Sequence, residues 1–115
     1  MLASYLFLFT FATKRNHNMK EKSVFIAGPC VIESAQLLDS VAQKLVEING
    51  RFGIDIIFKA SFDKANRTSI HSFRGPGIDK GLQMLSDVKD KYGLRITTDL
   101  HESWQAAPVG QVCDV

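Results

Sequence analysis

Between Lys59 and Ser69 the sequence sets three cations, Lys59, Lys64 and Arg67, among Ser61, Asn66, Thr68 and Ser69. A lysine offers a compact point charge. An arginine offers a planar fork that grips two oxygens at once, and hydroxyls and amides fill the acceptor sites that remain. That mixture suits a phosphorylated, anionic ligand. The one acid in the run, Asp63, does not cancel the surplus. A solvated basic loop is the plainer alternative, since most charged clusters are simply surface. Two features weigh against it. The cations are interleaved with small polar residues instead of being flanked by glutamates, and the run opens where the β-branched apolar stretch Ile54 to Phe58 closes. Sites in α/β folds are built just past strand ends.

Two further chemical groups also follow apolar runs. Cys30 comes after Ser23 to Ala27, a run closed by Gly28-Pro29. Taken alone, a cysteine at a strand end is as a rule a small buried residue, but its thiolate is also a ligand for a borderline-soft ion such as Zn²⁺ or Fe²⁺. Asp99 and His101 follow Leu94 to Thr98. A histidine exchanges protons near neutrality, which suits general acid or base work. The alternative is a loop in which Asp99 or Ser103 caps the helix behind it. His71 and Arg74 lie in the long loop after the basic run and carry no assigned role.

The elements that must hold these groups are legible from periodicity. Ser23 to Ala27 reads as a buried strand. Ser34 is a helix N-cap, Leu37, Leu38, Val41, Leu45 and Ile48 fall at helical spacing, and Gly50 or Gly53 stops that helix. Ile54 to Lys59 is the second strand. A polar loop from Ser61 to Gly77 follows, long enough to be functional or disordered. A helix from Ile78 to about Tyr92 presents Leu82, Leu85 and Val88 and ends at Gly93. Leu94 to Thr98 is the third strand, Trp104 to Gln111 a short helix with Pro108 in its first turn, and Val112 to Val115 the start of a fourth strand. Alternating strands and helices imply parallel pairing. A doubly wound sheet and part of a (β/α)8 barrel both satisfy that order, and periodicity alone does not separate them. In either, the candidate groups share one end of the sheet.

Composition narrows the function classes. The 115 residues allow one small domain with a modest core. A net charge of +2, without a basic stripe interleaved with aromatics, argues against nucleic acid as a partner. The two cysteines, Cys30 and Cys113, match no zinc-ribbon or redox spacing, so a reducing compartment is the default. Leu2 to Ala12 is strongly apolar and is followed by Lys14 and Arg15. That run is short for a bilayer span, and its charges stand on the wrong side for a signal peptide. It reads as an upstream extension without a structural role, as a weak membrane anchor, or as a signal.

The stretch KASFDKANRTSIHSFRGPG, Lys59 to Gly77, resembles the signature of the 3-deoxy-octulosonate 8-phosphate synthase family. Ile26 to Ser34 (IAGPCVIES) and Thr97 to Gln105 (TTDLHESWQ) are similar to that family too, in the same order and with similar spacing. The resemblance runs from about residue 22 to the end. It implies an α/β fold of the (β/α)8 barrel type, which needs about 250 residues. On that basis residues 1–19 are expected to be an extension outside the family, and residues 20–115 the first half of a barrel, truncated within the fourth strand.

The implied activity is the condensation of phosphoenolpyruvate with D-arabinose 5-phosphate, with phosphate release, on the route to lipopolysaccharide. Such enzymes are cytoplasmic homo-oligomers, expected here as a tetramer when full length. The resemblance assigns Lys59, Ser61 and Lys64 to the phosphate and carboxylate of phosphoenolpyruvate. It assigns Asn66, Arg67 and Thr68 to the sugar phosphate, and Asp99, His101 and Lys64 to the chemistry. The family more often has serine where this chain has Thr68; the hydroxyl is retained. Members with AGPC use the cysteine, here Cys30, as one ligand of a divalent metal, zinc or iron, and draw a His, a Glu and an Asp from the second half of the barrel. A single thiolate is not expected to hold a metal tightly, and the 115 residues alone are expected to be inactive. Two alternatives stand beside this: an inactive truncated product that keeps an anion-binding loop, and a related synthase of the shikimate-entry type. The ANRTS run speaks against the latter.

Overall fold

The computed structural model describes residues 6–11, 23–65 and 69–115. They build one four-stranded sheet in the order β1 (Leu6–Phe11), β2 (Val24–Pro29), β3 (Asp55–Lys59) and β4 (Arg95–Thr97). Helix α1 (Ala35–Phe52) links β2 to β3, and α2 (Ile78–Tyr92) links β3 to β4. After β4 a 3₁₀ turn, Ser103–Gln105, leads into α3 (Ala106–Val112). Strands β2, β3 and β4 are parallel, with Ala27 opposite Phe58 and Phe58 opposite Ile96. These are the parallel βαβ units of the α/β class expected from the alternation of elements.

The helix ends are local chemistry. The Ser34 hydroxyl accepts the Leu37 N–H at 3.1 Å, satisfying one of the orphan donors of the first turn. Gly53 adopts φ 62° and returns its N–H to the Asn49 carbonyl, a left-handed stop that a side chain resists. Gly93 ends α2 the same way, on the Lys89 carbonyl. One stripe of each helix is buried: Leu38, Ala42 and Leu45 on α1, and Leu82, Leu85 and Val88 on α2. Both stripes pack in one cluster with Ile56, Phe58 and Ile96 of the sheet. Full burial of a side chain such as Phe58 is worth about 1.5–3 kcal/mol of transfer free energy. Strand order follows chain order and both helices cover the same sheet face, which is the winding of the first units of a (β/α)8 barrel.

Three features differ from the sequence reading. Leu6–Phe11, in the run read as an extension, a weak anchor or a signal, forms β1 and pairs antiparallel with β2, Leu8 opposite Ala27. An apolar strand needs only an open edge to pair with, and β2 offers one. The fourth strand expected from Val112 does not form. Val112 closes α3, and the Asp114 carboxylate accepts the Ile96 N–H at 2.9 Å, where a strand partner would place a carbonyl. The Asp114 and Val115 N–H groups do reach the Ile96 carbonyl, so the tail lies along β4 without building a ladder. The loop from Ser61 is not uniformly polar in its setting either: Phe62 is buried in the core. Among the described residues no helix is long and apolar enough to cross a membrane.

Candidate anion-binding site at the strand ends

The pleat of β3 puts Phe58 into the helix-covered core, so Lys59 stands on the opposite face at the strand's carboxyl end. Gly28 lets that end sit close to β2. A Cβ at position 28 would lie 1.8 Å from the Lys59 carbonyl oxygen, so only glycine permits the approach. The chain then turns inward at Ser61. Its N–H donates to the Cys30 carbonyl at 3.4 Å, and its own carbonyl accepts from Ile32 N–H at 3.0 Å, a single parallel bridge beyond the end of β2. Ser61 is fully buried.

The Ser61 hydroxyl is the hub of the site. It accepts from Lys59 Nζ at 3.0 Å and from Lys64 Nζ at 2.7 Å, and it donates to Asp99 Oδ1. A hydroxyl has one proton and two lone pairs, so these three bonds fill it. Asp99 also pairs loosely with both ammonium groups, at 3.6 Å from Lys59 and 4.0 Å from Lys64. Half-burial opposes its ionised form, but the Ser61 hydrogen bond and the charges of Lys59 and Lys64 together outweigh that and hold the Asp99 carboxyl below its ordinary range. Two ammonium groups face one carboxylate, which leaves a net positive charge at a partly buried end of the sheet. Charges placed there are less screened than on an open surface.

Asp99 and His101 come from the loop after β4. Thr98 Oγ1 donates to the Ala60 carbonyl at 2.8 Å and ties that loop to the end of β3. His101 Nε2 lies 2.8 Å from the Asp63 carbonyl oxygen. A carbonyl only accepts, so Nε2 carries the proton in this contact. The same Nε2 is 3.8 Å from Asp99 Oδ2, and the ring stands edge-on to Phe62 with centroids 6.2 Å apart. The helix behind the loop is capped neither by Asp99 nor by Ser103. Gln105 Oε1 accepts the N–H groups of His101 and Glu102, at 2.7 and 3.1 Å. Asp99 is thereby left to the lysines, and buried Gln105 fixes the backbone of His101. Sequence reasoning passed over Gln105; its one signal is the acid-to-glutamine spacing of a capping box.

The structure thus brings together Lys59, Ser61, Lys64, Asp99 and His101. Asn66, Arg67 and Thr68 lie outside the described residues. Cys30 meets the group through its main-chain carbonyl. Among the described residues no three His, Cys, Asp or Glu side chains converge as a metal site. Cys30 is a single soft donor, and one donor does not fit a tetrahedral or octahedral ion.

The family described as "DAHP synthetase I family" matches residues 12–115. A "2-dehydro-3-deoxyphosphooctonate aldolase" of Campylobacter jejuni is 57% identical over 95 residues, which are 83% of this chain and 35% of that protein. Proteins of the same name from Fusobacterium nucleatum and Helicobacter pylori are each 53% identical, covering 84% and 89% of this chain and 34% and 37% of their own lengths. The chain therefore spans about a third of the length of these curated relatives. The match of the family over nearly all the described residues, together with cations gathered at the carboxyl ends of parallel strands, establishes that this chain belongs to the DAHP synthetase I family.

Proposed function

We propose that this chain carries the phosphoenolpyruvate-binding part of a synthase that joins phosphoenolpyruvate to D-arabinose 5-phosphate. The product is 3-deoxy-D-manno-octulosonate 8-phosphate, a lipopolysaccharide precursor made in the cytoplasm. The observation that carries the reading is the convergence of Lys59 and Lys64 on one serine oxygen beside Asp99 and His101. The names of relatives at 53–57% identity support the octulosonate product over the shikimate-entry one. In the reaction, C3 of phosphoenolpyruvate bonds to the aldehyde carbon of the sugar, water adds at C2, and phosphate leaves with C–O cleavage. Lys59 and Lys64 hold the phosphate and carboxylate, with Ser61 orienting both ammonium groups. Asn66, Arg67 and Thr68 receive the sugar phosphate. Asp99, His101 and Lys64 serve the reacting carbons, with fixed charges already aimed at the anions. Cys30 is proposed as one thiolate donor of a divalent metal, as in AGPC members, with the other donors beyond the described residues. A homo-oligomer, a tetramer at full length, is proposed here.

The test is phosphate release from the two substrates together, compared with each alone. Release that needs both supports the reading. A second reading is an anion site without turnover, carried by the two lysines on Ser61 alone. Binding of phosphoenolpyruvate without phosphate release selects that one. Absence of both refutes the two readings together.

A further inference from the structure

Arg74 follows the basic run in the chain and has the side chain best suited to a phosphate. One edge of its guanidinium is nevertheless engaged. Nε donates to Asp63 Oδ1 at 2.9 Å and Nη2 to Asp63 Oδ2 at 2.8 Å, a two-pronged pair. Its main-chain carbonyl accepts the Lys64 N–H at 2.7 Å. Arg74 is therefore bonded at both ends to the dipeptide Asp63-Lys64. The neighbouring contacts close the same neck. Gly77 N–H donates to the Phe62 carbonyl at 3.0 Å, and the Asp63 carbonyl accepts a hydrogen bond from His101 Nε2. Gly75 adopts φ 116°, and a Cβ there would lie 2.3 Å from the Phe62 carbonyl oxygen. Asp63 thus receives Arg74 on its carboxylate and His101 on its carbonyl. The residue immediately after it supplies one of the two ammonium groups of the site.

We infer that Asp63 and Arg74 are positioning residues, a clasp that sets the backbone of Lys64 so that its ammonium reaches Ser61 and Asp99, and that Arg74 is not itself an anion ligand. This rests on the anion-pocket reading above. The geometry makes opposite predictions for the two roles of Arg74. If Arg74 were a ligand restrained by Asp63, removing the Asp63 charge would release it and tighten anion binding. If it is a clasp, removing either partner loosens Lys64 and weakens binding.

The experiment uses the full chain and its Asp63→Asn, Arg74→Gln and Arg74→Lys variants, with the Asp63→Asn/Arg74→Gln double variant. Each is titrated with inorganic phosphate and with phosphoenolpyruvate by calorimetry. Each single change is expected to weaken both anions about fivefold, and the double change no more than either single one, as expected for two residues acting as a unit. Arg74→Lys keeps the charge but loses the fork, so it should behave like Arg74→Gln. The charge-swapped Asp63→Arg/Arg74→Asp pair should recover part of the loss, which a purely local destabilisation would not. Tighter binding in Asp63→Asn, additive losses in the double variant, or unchanged affinity in all of them overturns the inference while leaving the pocket in place. An unaltered chain that binds neither anion overturns the pocket reading and this inference with it.

Discussion

Replacing Asp99 by asparagine should make this chain bind phosphate more tightly, even though Asp99 is proposed to serve the chemistry. In the free chain the Asp99 carboxylate lies 3.6 Å from the Lys59 ammonium and 4.0 Å from that of Lys64, where an incoming anion would place its own oxygens. Unit charges about 4 Å apart near a protein surface interact by about 4 kcal/mol, falling to about 3 kcal/mol at a separation near 6 Å. Asp99 is 36% exposed, so solvent and salt remove a large part of that repulsion. Retaining about 1.4 kcal/mol gives about a tenfold gain in affinity. Asparagine is the right substitute because its carbonyl still accepts from the Ser61 hydroxyl, keeping the hub intact. The assay is calorimetric titration of both chains with inorganic phosphate at low and at physiological salt, with the gain shrinking as salt rises. Equal or weaker binding by Asp99→Asn would refute the idea that Asp99 occupies the electrostatic place of the ligand. If turnover is present, it should fall in the same variant that binds more tightly.

Three other outcomes follow from the same contacts. Gly28→Ala should cost about 3 kcal/mol or more, because the new Cβ meets the Lys59 main chain and not a side chain that can swing aside; urea midpoints measure it. Ser34→Ala removes the hydroxyl that accepts the Leu37 N–H and should cost about 1 kcal/mol in the same assay, with phosphate affinity unchanged. Acid should destabilise the fold in a defined window. Asp99 is depressed by Ser61, Lys59 and Lys64 against the opposing effect of its burial, and Asp114 by Lys89 and the Ile96 N–H. A depressed carboxyl contributes stability that is fully present above its unfolded value, about pH 4, and is lost as pH falls through the folded value. The fluorescence of Trp104, followed during acid titration, should report that loss below about pH 4, and Asp99→Asn should remove part of its pH dependence.

Much of this protein is local and therefore readable in the chain. Ser34, Gly53 and Gly93 mark helix ends because the groups they satisfy lie within four residues of them. The alternation of apolar strands with amphipathic helices requires a parallel sheet, and that in turn gathers Lys59, Ser61, Lys64, Asp99 and His101 at one end of it. Their residue types already spoke for an anion. The tertiary structure decided what those residues do to one another. Ser61 and Asp99 are 38 positions apart, as are Asp63 and His101, and no spacing rule links them. Only the parallel register of β3 and β4 brings the two loops together. The same holds for Arg74, which a sequence shows as a free cation and the fold shows clasped to Asp63. It holds again at Leu6–Phe11, where an apolar run becomes a strand because the edge of β2 is within reach. Helix signals are carried by neighbours in sequence, whereas strand pairing and side-chain partnership depend on what the rest of the chain delivers to the same place.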